Sequence, residues 1–231
     1  MRTLRTTGRP RLVVPAYFHP AVYPEQWAEL AEHASQVRLV VLNPASGPGA
    51  LVDPAFIPVL SRLRAAGVAI AGYVDTNYGR RPPADALADL GRYLDWYGVD
   101  GVMFDRVASG TADVRYYASL ARSARTLGAN EVTFNHGAHP VEAYAEHADL
   151  LGTFEAPWRV YLDLAVPRWV RDRPAERFYH LVYSVPRGHL GEAASLAARR
   201  NAGGVYVTDL GGDNPWRCLP GHRANPEPTT P

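Results

Sequence analysis

Eight short apolar runs recur through the chain, at residues 12–18, 37–43, 68–75, 99–105, 131–135, 150–155, 177–184 and 204–209. Each is rich in Val, Ile, Leu, Phe and Tyr and has the length of a buried strand. The segments between them carry helical spacing instead: Phe56, Val59, Leu60 and Leu63 in 54–66, and Leu87, Leu90 and Leu94 in 85–97. Strands that alternate with helices form a parallel sheet covered by those helices. Eight such units of about 29 residues each suit an α/β chain folded as a single small (β/α)8 barrel of TIM type.

The barrel is read as residues 1–219, and the proline-rich end, 220–231, as a disordered tail. Gly67, Gly98, Gly128 and Gly203 stand where left-handed caps would end helices before the next strand. Pro140, Pro157 and Pro167 interrupt the pattern, so the connections after Asn135 and Glu155 are expected to be short or broken helices. A doubly wound open sheet is the rival fold. It lacks a phosphate-binding glycine loop, because Ala45-Ser46-Gly47-Pro48-Gly49 follows Pro44 and reads as a turn.

Composition removes several functions. The 24 basic residues are all Arg and stand against 23 acidic ones, a balance that argues against nucleic acid as a partner. With no Lys, Schiff-base chemistry on a lysine amine is excluded. Cys218 is the sole cysteine, so no internal disulfide or cysteine-rich zinc site can form, and a buried, inert thiol is expected. No segment reaches the roughly 18 to 20 apolar residues of a membrane span. The basic first eleven residues precede an apolar run that is too short for a signal peptide and contains Pro15. The sequence therefore reads as a cytoplasmic monomer, or as a secreted one if an export segment lies outside it.

In a barrel, chemistry belongs at the C-terminal ends of the strands. Four successive runs end there in polar residues: Asp75, Asp105, Asn135 and Glu155. Alternation groups Asp105 with Met103 and Gly101, Asn135 with Thr133, and Glu155 with Thr153, leaving Phe104, Phe134 and Phe154 on the opposite face. Two carboxyls beside a neutral amide suit glycosidic cleavage, one acid protonating the leaving oxygen while the other attacks the anomeric carbon or activates water. The amide holds substrate or carboxylate without adding a third charge. Asp105, Glu155 and Asn135 are therefore the catalytic candidates.

Sugar rings need aromatic platforms, which Tyr78, Trp158 and Trp216 are positioned to supply. Asp75, Tyr17, His19, Asn43, His136, Tyr183 and Asp209, at or just past the strand ends, complete the predicted sugar-binding rim. No cofactor is called for. A metal site at His136 and His139, with His19 and His147, lacks helical ligand spacing, and no Gly-x-Ser-x-Gly elbow supports a serine hydrolase.

The runs Val14-Pro15-Ala16-Tyr17-Phe18, Leu42-Asn43-Pro44-Ala45-Ser46-Gly47-Pro48-Gly49, Gly72-Tyr73-Val74-Asp75-Thr76-Asn77-Tyr78-Gly79, Val99-Asp100-Gly101-Val102-Met103-Phe104-Asp105, Phe134-Asn135-His136-Gly137 and Phe154-Glu155 occur in this order. Together they resemble spherulation-specific family 4, the spherulin-4-like proteins, a group that includes glycoside hydrolases acting on galactosaminogalactan. The resemblance runs from about residue 12 to 216. It implies a barrel with endo-α-1,4-N-acetylgalactosaminidase activity on a polysaccharide or oligosaccharide. The family's Asp, Asn and Glu fall on Asp105, Asn135 and Glu155. By that analogy Asp105 is the nucleophile, Glu155 the general acid/base and Asn135 the positioning residue, with the two acids' roles open to reversal; retention is favoured over inversion, and the carboxylate separation decides between them. One departure stands out: the family's usual acidic residue after the strand-4 Asp is Arg106 here, which alternation aims away from Asp105 and towards a loop acid. The alternative function is a non-catalytic carbohydrate-binding or structural protein on the same barrel.

Overall fold

The computed structural model describes residues 9–222, so most of the expected tail lies outside the described residues. Eight strands overlie the eight apolar runs: β1 (Arg11–Ala16), β2 (Val37–Leu42), β3 (Ile70–Asp75), β4 (Gly101–Asp105), β5 (Glu131–Asn135), β6 (Leu150–Pro157), β7 (Phe178–Tyr183) and β8 (Gly204–Val207). Each pairs in parallel with the next, and β8 pairs with β1, closing a (β/α)8 barrel. The outer layer holds α1 (Pro24–Glu32), α2 (Phe56–Ala65), α3 (Pro83–Tyr97), α4 (Val114–Leu127), α5 (Trp158–Leu162), α6 (Arg168–Arg171) and α7 (Leu190–Arg199).

Local chemistry explains most of these boundaries. Pro24 and Pro83 open α1 and α3, where a missing N–H costs nothing. Gly98 and Gly128 end α3 and α4 in the left-handed region, and Gly67 follows α2 there, as the sequence implies. Gly203 does not follow suit. Asn201, at φ 61°, takes the left-handed position after α7, and Gly203 instead lets the chain pass Ala175, whose backbone a Cβ would meet at 2.9 Å. The prolines have the expected effect: only a 3₁₀ turn, Glu142–Glu146, follows β5, and α5 and α6 have five and four residues.

The outward phenylalanines pack under the helices. Phe134 lies edge-on to Tyr117 of α4 at 5.5 Å and 6.2 Å from Phe104, while Phe154 meets Tyr161 of α5 at 4.6 Å. β6 departs from simple alternation. Its register on β7 runs Gly152 to Tyr179 and then Phe154 to His180, so Thr153 is an extra, bulged residue. The Thr153 hydroxyl lies 3.2 Å from His180 Nε2, on the helix side, where His180 Nδ1 lies 2.8 Å from the Tyr161 hydroxyl. The expectation that Thr153 and Glu155 share a face is thus corrected: Gly152 faces the barrel, and the bulge turns Glu155 inward as well.

No helix follows β8 among the described residues. The segment instead crosses to α1, where the Leu219 N–H donates to Gln26 Oε1 at 2.6 Å and His222 Nε2 lies 2.7 Å from Glu29 Oε2. Residues 220–222, assigned to the tail, are thereby described as part of this crossing, whereas 223–231 lie outside the described residues. Cys218 is buried along it, with the Tyr206 hydroxyl donating to its carbonyl at 2.6 Å. None of the described helices is long and apolar enough to cross a membrane.

Candidate active site

The ends of β4 and β5 and the bulged part of β6 bring Asp105, Asn135 and Glu155 together. One nitrogen joins them: Asn135 Nδ2 donates to Asp105 Oδ1 at 2.8 Å and to Glu155 Oε2 at 2.6 Å. The Tyr73 hydroxyl, from β3, donates to the second Asp105 oxygen at 3.0 Å. Asn135 is 4% exposed, whereas both carboxyls are half-buried and open into a cleft of about 340 Å³. Its walls are Tyr78, Asp105, Arg106, Asn135, His136, Gly137, Ala138, Glu155 and Tyr183. That volume lies at the lower end of the range for small-molecule sites, about 300–1,000 Å³.

The two acids are not equivalent. Burial raises the Asp105 pKa, but hydrogen bonds from the Asn135 amide, the Arg106 backbone N–H and the Tyr73 hydroxyl support its charged form. Burial and the charge on Asp105 push Glu155 up to about 7, opposed by the Asn135 amide and the Trp216 indole. Asp105 therefore ionises first, and its charge keeps the proton on Glu155. That is the division between base or nucleophile and acid that glycosidic cleavage requires.

The remaining predicted residues divide. Tyr78 and Tyr183 line the cleft. Tyr17 stands edge-on to Tyr73 at 5.6 Å, and burial, aided by the charge on Asp105, holds its hydroxyl protonated. Trp216 is 5% exposed between Tyr183 and Tyr206, a wall behind Glu155 rather than an open platform. Asp75 pairs in the ladder beside Asp105 and forms an ion pair with Arg106 at 3.0 Å. His136 borders the cleft, but its ring packs edge-on against Tyr144 at 4.7 Å and Phe134 at 6.1 Å, and burial lowers its pKa to about 3.

Four predicted residues are not brought to the cleft. His19 pairs with Asp53 at 2.8 Å and packs on Phe56, and Asn43 Oδ1 accepts the Gly47 N–H at 2.8 Å inside its own turn. Trp158 packs against Tyr161 and His189, and Asp209 pairs with Arg187 at 2.6 Å. Arg106 also departs from expectation. Its backbone, at φ 52°, turns the guanidinium back over the rim to the strand-end Asp75 instead of out to a loop acid.

Tyr73, Gly152 and Tyr179 are parts of the site that the sequence reading passed over. Tyr73 precedes Asp75 by two and so shares its face, a signal available from alternation alone. Gly152 and Tyr179 face each other across the β6–β7 ladder, beneath the Asn135 amide. A Cβ on Gly152 would overlap the Asn135 carboxamide oxygen and lie 2.6 Å from the Tyr179 hydroxyl. Among the described residues, no three His, Cys, Asp or Glu side chains stand close enough to hold a metal ion.

The profile of spherulation-specific family 4 matches residues 11–224. The chain belongs to that family. Spherulin-4 of Physarum polycephalum is 27% identical over 217 residues, covering 88% of this chain, which spans only 65% of that relative's length. The crystal structure of Aspergillus clavatus Sph3 in complex with GalNAc is similar at a TM-score of 0.75 and 27% identity, over 93% of this spherulin-4-like chain and 95% of that one. The C-terminal domain of a putative chitinase from Desulfitobacterium hafniense, at a TM-score of 0.52 and 10% identity over 76% of this chain and 67% of its own, shares the fold alone.

Proposed function

We propose that this spherulation-specific family 4 protein is a glycoside hydrolase that cleaves α-1,4-linked N-acetylgalactosamine or galactosamine polysaccharide within the chain. The observation that carries this reading is the single Asn135 amide that bridges two carboxyls of unequal proton affinity in an open cleft. The GalNAc bound to Sph3 supports the sugar class.

Glu155, protonated, gives its proton to the glycosidic oxygen as the bond from that oxygen to the anomeric carbon breaks. Asp105, ionised, forms a bond to the same carbon. Water then displaces Asp105 and returns a proton to Glu155. A shared Asn135 nitrogen, 2.8 Å from one acid and 2.6 Å from the other, keeps the facing oxygens closer than the about 6.5 Å at which inverting sites begin. Retention is therefore the stereochemistry proposed. Asn135, being neutral, orients both acids without charging the site.

The reaction needs Asp105 ionised and Glu155 protonated, so the rate should fall as pH rises through about 7 and fall again on acidification as Asp105 takes up a proton. Tyr73→Phe removes a donor that favours the Asp105 anion. In that variant the acid limb of the kcat/KM profile should move to higher pH while the alkaline limb stays in place. An unmoved acid limb would deny Tyr73 this role.

Release of reducing ends from α-1,4-linked galactosamine polymers, N-acetylated and free, tests the activity itself. Cleavage of either supports it. Binding without cleavage would favour a carbohydrate-binding protein instead.

A further inference from the structure

The loop after β3 and the residue after β4 are held in a costly backbone conformation beside the reacting acids. Asn77, Tyr78 and Arg106, none of them glycine, have φ of 46°, 55° and 52°. Bulky side chains rarely adopt this region, and such strain gathers at working sites. The conformation is fixed from several directions. The Tyr78 N–H donates to the Arg106 carbonyl at 2.7 Å, the Thr76 N–H to the Asp105 carbonyl at 3.0 Å, and the Asn77 N–H to Asp75 Oδ1 at 2.7 Å.

This backbone sets the Arg106 guanidinium over the Tyr78 ring, 5.1 Å from its centroid, with one arm on Asp75 at 3.0 Å and the other on Asn77 Oδ1 at 2.7 Å. Tyr78 remains 51% exposed, and both residues line the cleft with Asp105 and Glu155. Without Arg106 the rim would present an Asp75 carboxylate stripped of its ion pair with that residue and a second open aromatic face, two features that attract an ammonium group. Arg106 occupies both.

We infer that Tyr78 and Arg106 form a subsite next to the reacting carboxyls, an aromatic platform backed by a guanidinium, that takes an uncharged pyranose such as an N-acetylated one and disfavours a protonated amino sugar. The inference rests on the glycan-cleaving reading and names the substrate form within it. The part of the ring that Arg106 leaves uncovered offers a sugar a surface to stack on, and the neutralised rim removes the counter-charge that an amino sugar would seek.

Calorimetric binding of α-1,4-galactosamine oligomers, fully N-acetylated or fully de-N-acetylated, tests this at pH 6. A Glu155→Gln background prevents turnover and imitates the protonated acid. The background protein should bind the acetylated oligomer more tightly. Adding Arg106→Gln should shift the affinity ratio towards the free amine by about tenfold, from one released carboxylate and one uncovered ring. High salt should shrink that shift. Tyr78→Ala should weaken the acetylated oligomer by about fivefold or more through lost stacking. An affinity ratio unchanged by Arg106→Gln, or a free-amine preference already present with Arg106 in place, would overturn this inference alone. Failure of either oligomer to bind either protein would overturn the glycan reading with it.

Discussion

Asp105→Asn and Glu155→Gln should each lower the release of reducing ends from a susceptible galactosamine polymer by about 10²–10⁴-fold, the range for loss of a positioned acid or base. Neither change should unfold the barrel, because both side chains are half-buried at its mouth and the substituted amides keep their volume. Glu155→Gln carries a second signature. The folded protein holds the Glu155 proton up to about 7, well above an ordinary glutamate. Below the unfolded pKa both states bind that proton and the carboxyl has no net effect on stability. Between that unfolded pKa and about 7 the unfolded chain has given up the proton while the native carboxyl keeps it, so native stability declines across this window and levels off once the native carboxyl also ionises. The Gln variant escapes this decline. Its thermal midpoint should exceed that of the native protein at pH 8, with the difference closing at pH 4. Loss of activity with equal or lower stability at both pH values would mean that the fold does not hold the proton on Glu155 as proposed.

Gly152→Ala should have the next largest effect, although Gly152 touches no substrate. The added methyl would overlap the Asn135 carboxamide oxygen and press on the Tyr179 hydroxyl from 2.6 Å. Both neighbours are buried, so Asn135 must move, and its Nδ2 can no longer hold Asp105 and Glu155 in one arrangement. Misplacement by about 1 Å is enough to cost about 10²-fold in kcat. The pH profile should change too, since Asn135 supports the charged form of both acids. Gly191→Ala, on α7 with nothing within 4 Å, is the matched control and should leave kcat and its pH limbs unchanged. If Gly152→Ala behaves like that control, the Asn135 bridge does not position the acids.

Much of the barrel was legible because each strand is buried on both faces and so reads as an unbroken apolar run, while prolines and left-handed glycines mark many of the helix ends. Asp105 and Asn135 could be aimed by alternation alone, since β4 and β5 pair without interruption. Glu155 could not. Strict alternation from Gly152 sends residue 155 outward, and only the extra residue at Thr153 brings it back. The sequence pattern brings Glu155 to the cleft by the wrong parity, because a bulge leaves no mark in hydropathy.

The rim was less legible for a related reason. Loop side chains are aimed by backbone torsions that composition does not encode. The left-handed turn at Arg106 carries its charge back to Asp75, His19 is spent on the Ala21 N–H and on Asp53 of the loop after β2, and Asn43 is spent on its own turn. Trp158 begins α5 and packs with that helix, so an aromatic residue close in sequence to Glu155 lies outside the cleft.

Proton NMR of a fresh digest of α-1,4-linked N-acetylgalactosamine oligomers joins these strands in one observation, because it reports both cleavage and the anomer first released. A new α-anomeric reducing end that appears first and only later equilibrates with the β form is the expected result. A β-anomer appearing first, or no new reducing end at all, would contradict a pair of carboxyls held by one asparagine as the machinery of a retaining hydrolase.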